Sequence, residues 1–346
     1  MIVTNITNNT TSFHMLSPKD SPVERIAGRL ILALGSSAVL LIWIMYKVFR
    51  VQYWNFVKKV KDLDSKMISL NYPLDLNGEF RSFVIYLAIL LTIFHITVIT
   101  TTSVMVIDSF WLNFLWFYDI YITNGPLMTS NHTGILFIRA TRIRFAAMNK
   151  FIKTVLQTSE DDPKNLPHEE KTIRILIDIS QCHSDLIDRV EDINHFFGFQ
   201  MLMTFSTLFF YGIFSFFAIY RAVIGTSPWS CYNVNNVMWN GFHFGTTTYF
   251  IKEASALRSE SDETGVLIHK VANFLQKPTS ELLERLGLLS QQLQHRSSVV
   301  SCGFFDFDWI LWYTLVGSTV SMVILFIQFD SAAVAQLNIN ITMSGN

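Results

Sequence analysis

Long apolar runs dominate the pattern of hydrophobic and polar positions along this chain. Six of the runs are long enough for a helix that crosses a bilayer, which takes roughly 20 predominantly apolar residues. The fifth run, which contains "WNGFHFGTTTYF", is polar for contact with lipid, so we expect other helices or a water-filled cavity to cover it. The predicted spans are 30–49, 83–106, 110–137, 199–220, 234–251 and 309–329.

Basic residues between the spans predict the orientation of the chain. Segments 50–82, 139–198 and 252–308 hold six, nine and six of the 26 lysines and arginines. Lysine and arginine concentrate on the cytoplasmic side of membrane proteins, and these three segments alternate with poorly charged ones. Both termini are therefore expected outside the cell. Glycosylation acceptor motifs at Asn5, Asn9 and Asn340 agree with that orientation.

The basic segments themselves contain helical patterns. Residues 139–157 continue the third span as a helix, and residues 171–197 form an amphipathic pattern that leads into the fourth span. Leu282, Leu286, Leu289 and Leu293 repeat at spacings of 4, 3 and 4, a short seam typical of a coiled coil. Apolar stripes in water require partners. Packing on neighbouring subunits and packing within one chain are both compatible with the seam.

These patterns predict an all-α fold: a polytopic membrane helical bundle with long cytosolic helix extensions. The expected organisation is an extracellular N-terminal tail (1–29), ligand-binding transmembrane helices with cytosolic extensions (30–251), cytosolic anchor helices (252–308), a pore-lining last span (309–329) and an extracellular C-terminal tail (330–346).

The last span carries a stripe of small and polar residues. Stepping back from Gln328 at spacings of 3 and 4, one meets Leu325, Ser321, Ser318 and Thr314. Small residues permit close packing between helices, which is one interpretation. The other is a wet pore wall, favoured by the amide of Gln328, because an uncharged amide near a channel mouth can replace the hydration water of an ion. One helix cannot enclose a channel, so a pore requires several copies around an axis.

Composition narrows the function classes. Half of the residues are hydrophobic and 15% are charged, against about 25% in soluble proteins. No nucleotide-binding loop, metal motif or catalytic triad pattern occurs, so we expect no enzyme activity, no cofactor, no metal and no nucleic-acid partner. His183 lies on the amphipathic stripe without a second ligand at suitable spacing, and it is interpreted as a packed or hydrogen-bonded histidine.

The C-terminal region resembles a known family. The segment "CGFFDFDWILWYTLVGSTVSMVILFIQF", 302–329, is similar to the closing segment of insect gustatory receptors, with Gln328 and Phe329 at its final Gln-Phe. Ser321 and Met322 stand where that family usually has Thr-Tyr. The segments "CHSDLIDRVEDINHFFGFQMLM", "KEASAL" and "LLSQQLQHRSSVVSCGFF" also resemble the family, so the similarity covers most of the chain after about residue 180.

This resemblance implies a taste chemoreceptor that acts as a ligand-gated, non-selective cation channel in the plasma membrane. The partners it implies are a small organic tastant, the conducted cations Na⁺, K⁺ and Ca²⁺, the lipid bilayer, and other gustatory receptor subunits in a homo- or hetero-tetramer. The last helix of each subunit would line the central pore. Counted back from the C terminus, the first span here corresponds to the second of the seven family spans, which implies that the first is missing.

The resemblance also implies two sets of site residues. The ligand pocket would lie among the outer halves of the spans before the last. Its predicted residues are Thr101, Trp116, Asp119, Tyr121, Tyr211, Trp239, Asn240 and His243. The predicted pore residues are Thr314, Ser318, Ser321, Leu325, Gln328, Phe329 and Asp330. A slight rotation of the last helix would exchange Phe329, which closes the path, for Gln328, which opens it.

Two other function classes stay open. A G-protein-coupled receptor needs an odd number of spans, an inside C terminus and motifs that do not occur here. A transporter or membrane enzyme should show ionisable residues clustered at mid-membrane, whereas the candidates here, His95, Asp119, His132 and His243, are scattered. A truncated receptor without function is the further alternative.

Overall fold

The computed structural model of the chain describes residues 3–5, 12–14, 22–104, 110–161, 169–224, 231–274 and 279–344. Its helices are α1 (Pro22–Val48), α2 (Arg50–Ser69), α3 (Leu76–Val104), α4 (Phe110–Asp161), α5 (Glu169–Val223), α6 (Cys231–Phe274), α7 (Ser280–His295) and α8 (Trp309–Ser344). Strands β1 (Val3–Asn5) and β2 (Ser12–His14) form an antiparallel hairpin in which Val3 pairs with His14.

The predicted all-α bundle is confirmed, and so are its long helices. Segment 139–157 is the second half of α4, and segment 171–197 is the first half of α5. α4 has 52 residues and α5 has 55, hence lengths of about 80 Å at a rise of 1.5 Å per residue. Since the apolar core of a bilayer is only about 30 Å thick, both helices extend well beyond it.

Within the part of the chain that the structure describes, three helices are long and apolar enough to cross a membrane, judged by length and composition. They comprise Leu76–Ser103, Thr172–Val223 and Trp309–Ala332, and a fourth span results if Ala33–Val48 and Arg50–Ser69, bent by 60°, are taken together. The predicted spans 110–137 and 234–251 lie in α4 and α6, which do not pass that test within the described residues. α4 and α6 pack against each other, as expected for helices too polar to face lipid alone.

Helix α8 is longer than the predicted last span. The sequence predicted a helix to residue 329 followed by a tail, whereas α8 continues to Ser344. Between Gly317 and Gly345 the sequence contains neither glycine nor proline, so no residue there breaks the helix. Residues 330–344 are thus helical, and their assignment to an extracellular tail stays a prediction.

The leucine seam of α7 is covered within the chain. Leu282, Leu286 and Leu289 are buried in the main hydrophobic core together with residues of α2, α4, α5, α6 and α8, and Leu293 packs against that core. Thr279 caps the start of the helix by accepting a hydrogen bond from the Leu282 amide. The seam therefore stabilises the subunit itself. The opposite face of α7 leaves Leu283 and Leu288 exposed at 55% and 52%.

A buried guanidinium joins three helices near α7's end of the bundle. Arg144 of α4 donates two hydrogen bonds of 2.8 Å to the Asp64 carboxylate of α2 and one of 3.0 Å to Glu79 of α3. Its side chain is 5% exposed. Burial lowers the pKa of Arg144, but the two carboxylates outweigh this effect and leave it raised, so the charge persists.

The linker between α7 and α8 is fastened to α5 at several points. Asn194 donates to the Val299 carbonyl at 2.8 Å and accepts from the Ser301 amide at 3.0 Å. At Gly198 a β-carbon would lie 3.0 Å from the Ser301 carbonyl oxygen, so glycine permits this close approach. Arg296 adds a 2.9 Å hydrogen bond to Glu191. The start of α8 is thereby positioned by α5.

Candidate functional site

A cluster of aromatic and polar side chains forms where α3, α4, α5 and α6 meet. Trp239 of α6 donates its indole N–H to the Thr101 hydroxyl of α3 at 2.8 Å, and both residues are buried. The aromatic ring of Phe94 lies edge-on to Trp239 at 6.1 Å and to Tyr121 of α4 at 5.5 Å. Helices far apart in sequence thus share one set of ring contacts.

His243 extends this cluster toward α5. Its imidazole stacks on the Trp239 indole with ring centres 5.5 Å apart, and the Tyr211 ring meets it edge-on at 6.0 Å. Phe242 contacts both His243 and Trp239 at 5.5 and 5.9 Å. The result is a mostly apolar wall with a few hydrogen-bonding groups, the composition typical of small-molecule sites.

Two asparagines of α6 lie beside the rings. Asn240 donates its amide N–H to the Ser215 hydroxyl at 2.6 Å and to the backbone carbonyl of Asn236 at 2.9 Å. The side-chain oxygen of Asn236 accepts from the Tyr211 hydroxyl at 3.4 Å. Asn236 Nδ2 and Asn240 Oδ1 are buried and have no hydrogen-bonding partner among the described residues.

Most of the predicted ligand residues come together in this cluster. Thr101, Tyr121, Tyr211, Trp239, Asn240 and His243 all contact it directly or through a shared partner. The backbone of Trp116 and Asp119 belongs to α4, while their side chains lie outside the described part of the chain. The sequence therefore placed these residues in one region, and their role in binding stays a prediction.

Sequence reasoning missed Phe94, Asn236 and Ser215. Phe94 lies in the most apolar predicted span and carries no polar signal of its own. Asn236 could have been found, since it stands four residues before Asn240 and helical spacing places i and i+4 on one face. Ser215 is one of many serines and threonines in the spans, and only tertiary structure distinguishes it.

The predicted pore stripe of α8 faces away from the rest of the chain. Among the predicted residues, Thr314, Ser318, Ser321, Leu325, Gln328 and Phe329 are all exposed. On the other side of α8, Trp312, Leu315 and Thr319 are buried. Phe326 on that side stacks on Phe214 of α5 at 5.4 Å. The helix therefore has one face for its own subunit and one that the subunit does not use.

Asp330, predicted at the mouth of the pore, is paired inside the chain. Its carboxylate lies 3.6 Å from the Arg221 guanidinium of α5, and the two side chains are 13% and 11% exposed. This contact joins the end of α5 to α8 two residues beyond Gln328. Arg221 therefore competes with cations for the Asp330 carboxylate, whose role in gathering cations stays a prediction.

Two of the three predicted glycosylation sites lie on described elements. Asn5 lies in β1 and Asn340 in α8, while Asn9 lies outside the described residues. Among the residues described, no group of three histidines, cysteines or acidic residues converges on a possible metal position. His183 is buried and meets Phe145 edge-on at 5.6 Å, in line with a packed histidine.

Comparison with known proteins places these observations in a family. A family model described as 7tm Chemosensory receptor matches residues 1–333. The chain belongs to this family. Together with the spanning helices above, this makes it a multi-pass membrane protein of the chemosensory receptor class.

Curated relatives are gustatory receptors of Drosophila melanogaster. Putative gustatory receptor 28a is 26% identical over 157 residues, which is 44% of this chain and 34% of that protein. Putative gustatory receptor 28b is 23% identical over 164 residues, 45% of this chain and 34% of that protein. The matched part thus spans about a third of the length of these relatives.

A solved structure shares the fold of this chemosensory receptor. The insect olfactory receptor OR5 from Machilis hrabei, in complex with eugenol, matches with a TM-score of 0.57 and 10% identity. The match covers 90% of this chain and 91% of that one. The likeness in fold, with little sequence identity, agrees with the resemblance to insect chemoreceptors found in the sequence.

Proposed function

We propose that this chemosensory receptor is a gustatory subunit of a tetrameric, ligand-gated, non-selective cation channel in the plasma membrane. A small organic tastant binds among the outer halves of α3, α4, α5 and α6. Both termini lie outside the cell, and α8 lines a central pore that conducts Na⁺, K⁺ and Ca²⁺. The other subunits are copies of this chain or related receptors.

The observation that carries the proposal is the two-sided character of α8. On one face, Phe326 packs on α5 through Phe214 and Phe217, and Leu315 and Thr319 are buried. The opposite face leaves Ser318 and Ser321 exposed although they lie within an apolar span. Ser321 donates to the Gly317 carbonyl of its own helix at 2.9 Å, and a stripe of small hydroxyl residues on the exposed face suits contact with a partner helix or with water. A symmetric arrangement of several subunits around that face would supply both a water-filled path and neighbouring helices.

In a fourfold arrangement each exposed residue becomes a ring of four. A ring of Gln328 amides can coordinate a cation through oxygen without the strong trapping of a carboxylate ring. Phe329 is exposed at 60% next to it, so its phenyl ring can close the same path by excluding water. Neighbouring residues of an α-helix lie about 100° apart around its axis, so a rotation of α8 of that order would exchange the two side chains at the pore axis.

Ligand binding is proposed at the Trp239 cluster because rings and hydrogen-bonding groups from four helices converge there. α5 contacts both this cluster, through Tyr211, and the pore helix, through Phe214 and Phe217. A ligand that shifts α5 would therefore move the surface on which α8 packs. This gives a direct mechanical connection between the ligand site and the pore.

Assembly requires a contact surface outside the subunit core. The leucine seam cannot supply it, since the subunit itself buries the seam. The exposed Leu283 and Leu288 on the other face of α7, and Ile310 and Tyr313 at the start of α8, are the apolar surfaces proposed to meet neighbouring subunits. Both lie at the end of the bundle predicted to be cytosolic.

Cysteine accessibility tests the pore proposal most directly. Single variants Ser318→Cys and Ser321→Cys would be expressed in cells, and current through them recorded before and after a charged, thiol-reactive methanethiosulfonate reagent. We expect the reagent to reduce the ligand-evoked current at both positions. Thr319→Cys is the matched control, because Thr319 lies on the same helix but is 3% exposed. Subunit number would be counted by photobleaching of a fluorescent tag.

The three native cysteines, Cys182, Cys231 and Cys302, can react with the reagent, so the unmodified receptor is recorded in parallel to measure this background. Equal block at Ser318, Ser321 and Thr319, or none at any of them, would contradict a pore lined by this face of α8. Replacement of Gln328 by alanine should in addition change the Na⁺ to Ca²⁺ permeability ratio.

A further inference from the structure

Two unpaired amide atoms of α6, Asn236 Nδ2 and Asn240 Oδ1, lie beside the Trp239 cluster. Asn236 and Asn240 are each 4% exposed, so neither amide reaches bulk solvent. A buried amide group that loses its hydrogen bond with water and gains none in return is unfavourable, and such groups are rare in folded proteins. The two open positions therefore require an explanation.

The open positions are one donor and one acceptor. Asn240 uses its N–H groups on the Ser215 hydroxyl and the Asn236 backbone carbonyl, and a carbonyl can only accept. The orientation of the Asn240 amide is fixed by that bond, which leaves Oδ1 as an acceptor without a donor. Asn236 accepts from Tyr211 through Oδ1 and retains Nδ2 as a donor without an acceptor.

The two positions are close and share one face of α6. Residues four apart on a helix have β-carbons about 6 Å apart. The 2.9 Å bond from Asn240 to the Asn236 carbonyl draws the second amide back toward the turn of the first. A single group that both accepts and donates can therefore satisfy both amides.

The aromatic rings beside Asn236 and Asn240 indicate which kind of molecule carries the hydrogen-bonding group. Trp239 precedes Asn240 in sequence, and its indole stacks on His243 one turn later. Tyr211 contacts both His243 and Asn236. Rings of this kind bind the carbon framework of an organic ligand, while the amides bind its polar group.

We propose that Asn236 and Asn240 form a hydroxyl-recognition subsite, and that this receptor selects neutral organic molecules bearing a hydroxyl group placed next to an apolar framework. The subsite lies in the proposed ligand site and rests on that proposal. The ligand hydroxyl accepts from Asn236 Nδ2 and donates to Asn240 Oδ1.

Other polar groups fit the pair less well. An ether, aldehyde or ketone accepts but does not donate, which leaves Asn240 Oδ1 unpaired. A protonated amine donates but does not accept, which leaves Asn236 Nδ2 unpaired. A carboxylate would be placed against the Asn240 oxygen. Only a neutral group with both capacities, such as a hydroxyl, satisfies the two amides.

Matched pairs of alcohols and their methyl ethers test the proposal. Binding to the purified full-length receptor in nanodiscs would be measured by thermal shift for benzyl alcohol, 2-phenylethanol and cyclohexanol, each against its methyl ether. We expect at least one alcohol to bind about tenfold more tightly than its ether, the effect of one additional hydrogen bond. Asn240→Leu should abolish that difference, because it removes the acceptor to which only the alcohol can donate. Asn236→Leu should weaken alcohol and ether alike and preserve the difference, because both can accept from Asn236.

Thr247→Val is the matched control. Thr247 is buried on the same helix, about two turns from Asn240, and the change removes a hydroxyl with little change in volume. It should preserve the preference for alcohols. If a leucine variant fails to give a monodisperse peak on size exclusion, the alanine variant at the same position, Asn236→Ala or Asn240→Ala, replaces it. The comparison of alcohols with ethers on the unmodified receptor requires no variant.

The outcomes separate the subsite from the channel. If no alcohol of the panel binds, or if alcohols and ethers bind equally, the subsite is overturned. Cation flux in cells is measured with the same ligands. If alcohols are preferred in binding but evoke no flux, the result contradicts the proposed channel and supports the subsite. If alcohols and ethers evoke equal flux, the result supports the channel and contradicts the subsite.

Discussion

The two ends of the helix bundle are held together by different kinds of contact. At the end that contains α7, charged groups bind several partners at once, as Arg144 does with Asp64 and Glu79. At the opposite end, around Trp239, neighbouring helices share single neutral hydrogen bonds and ring contacts. Some buried amide atoms there have no partner among the described residues.

The difference has energetic consequences. Loss of one partner of a buried charge network costs about 3–5 kcal/mol, whereas a neutral hydrogen bond contributes about 0.5–1.5 kcal/mol. Rearrangement is therefore far more costly at the α7 end. Regions that move on ligand binding are drawn from the less stable parts of a protein. We therefore expect the α7 end to hold the subunit together and the Trp239 end to rearrange when a ligand binds.

Removal of the Arg144 charge is expected to have the largest effect. Arg144→Met keeps most of the side-chain volume but leaves Asp64 and Glu79 facing each other without a cation. We expect a loss of about 3–5 kcal/mol in stability, seen as a fall in the apparent unfolding temperature of the purified receptor.

Arg258→Met is the control for that change. Arg258 of α6 is 49% exposed and lies 3.9 Å from Asp262, and such exposed pairs contribute between 0 and about 1 kcal/mol. A fall of equal size for Arg258→Met and Arg144→Met would remove the basis for treating the α7 end as the rigid part.

Helix positions and lengths were the most predictable features of the fold. The continuation of the third span through residue 157 and the amphipathic segment 171–197 followed from periodicity, because the apolar stripe keeps a helical repeat across the membrane boundary. The end of α8 was not predictable in the same way. Its polar residues after Phe329 resemble a tail, although nothing in the sequence stops the helix.

Contacts between helices were less predictable. The spacing of Leu282, Leu286 and Leu289 indicated an apolar seam, but the pattern is the same whether the partner is the same chain or another. The pairing of Asp330 with Arg221 could not be foreseen, since 109 positions separate the two residues in sequence. The cluster around Trp239 was partly predictable, because a polar group within a span limits its possible neighbours.

A second prediction concerns the junction between the two ends. Gly198→Ala would place a β-carbon 3.0 Å from the backbone of both Ser301 and Cys302, and backbone cannot yield as a flexible side chain does. We expect a loss of about 1–3 kcal/mol in stability together with altered ligand sensitivity, because the displaced linker leads directly into α8. Thermal unfolding and dose–response recordings would be compared.

Gly265→Ala in α6 is the control, and we expect it not to lower stability. No heavy atom lies within 4 Å of the β-carbon it would add, and alanine is favoured over glycine inside a helix by up to about 1 kcal/mol. Its unfolding temperature should be unchanged or higher. If Gly198→Ala behaved in the same way, the linker would not be fastened closely enough to α5 to position α8.

The smallest effect is expected at the pair that joins α5 to α8 at the other end. Arg221 and Asp330 are mostly shielded from solvent, which strengthens their attraction, but their 3.6 Å separation is too long for a strong hydrogen bond. We expect a coupling of about 0.5–1 kcal/mol, hence a two- to fivefold change in the ligand concentration for half-maximal current. A double-mutant cycle with Arg221→Gln and Asp330→Asn isolates this term from any other contact of Arg221.

The direction of the change distinguishes two roles for Asp330. If the pair holds α8 in the closed orientation, either single variant lowers the half-maximal concentration, and the double variant adds little. If Asp330 instead concentrates cations at the mouth, Asp330→Asn lowers conductance in low salt while Arg221→Gln does not, because salt screens the attraction of a carboxylate for cations in the surrounding water. A coupling above about 2 kcal/mol would contradict the proposed difference between the two ends, since this end of the bundle would then be as firmly fixed as the end around Arg144.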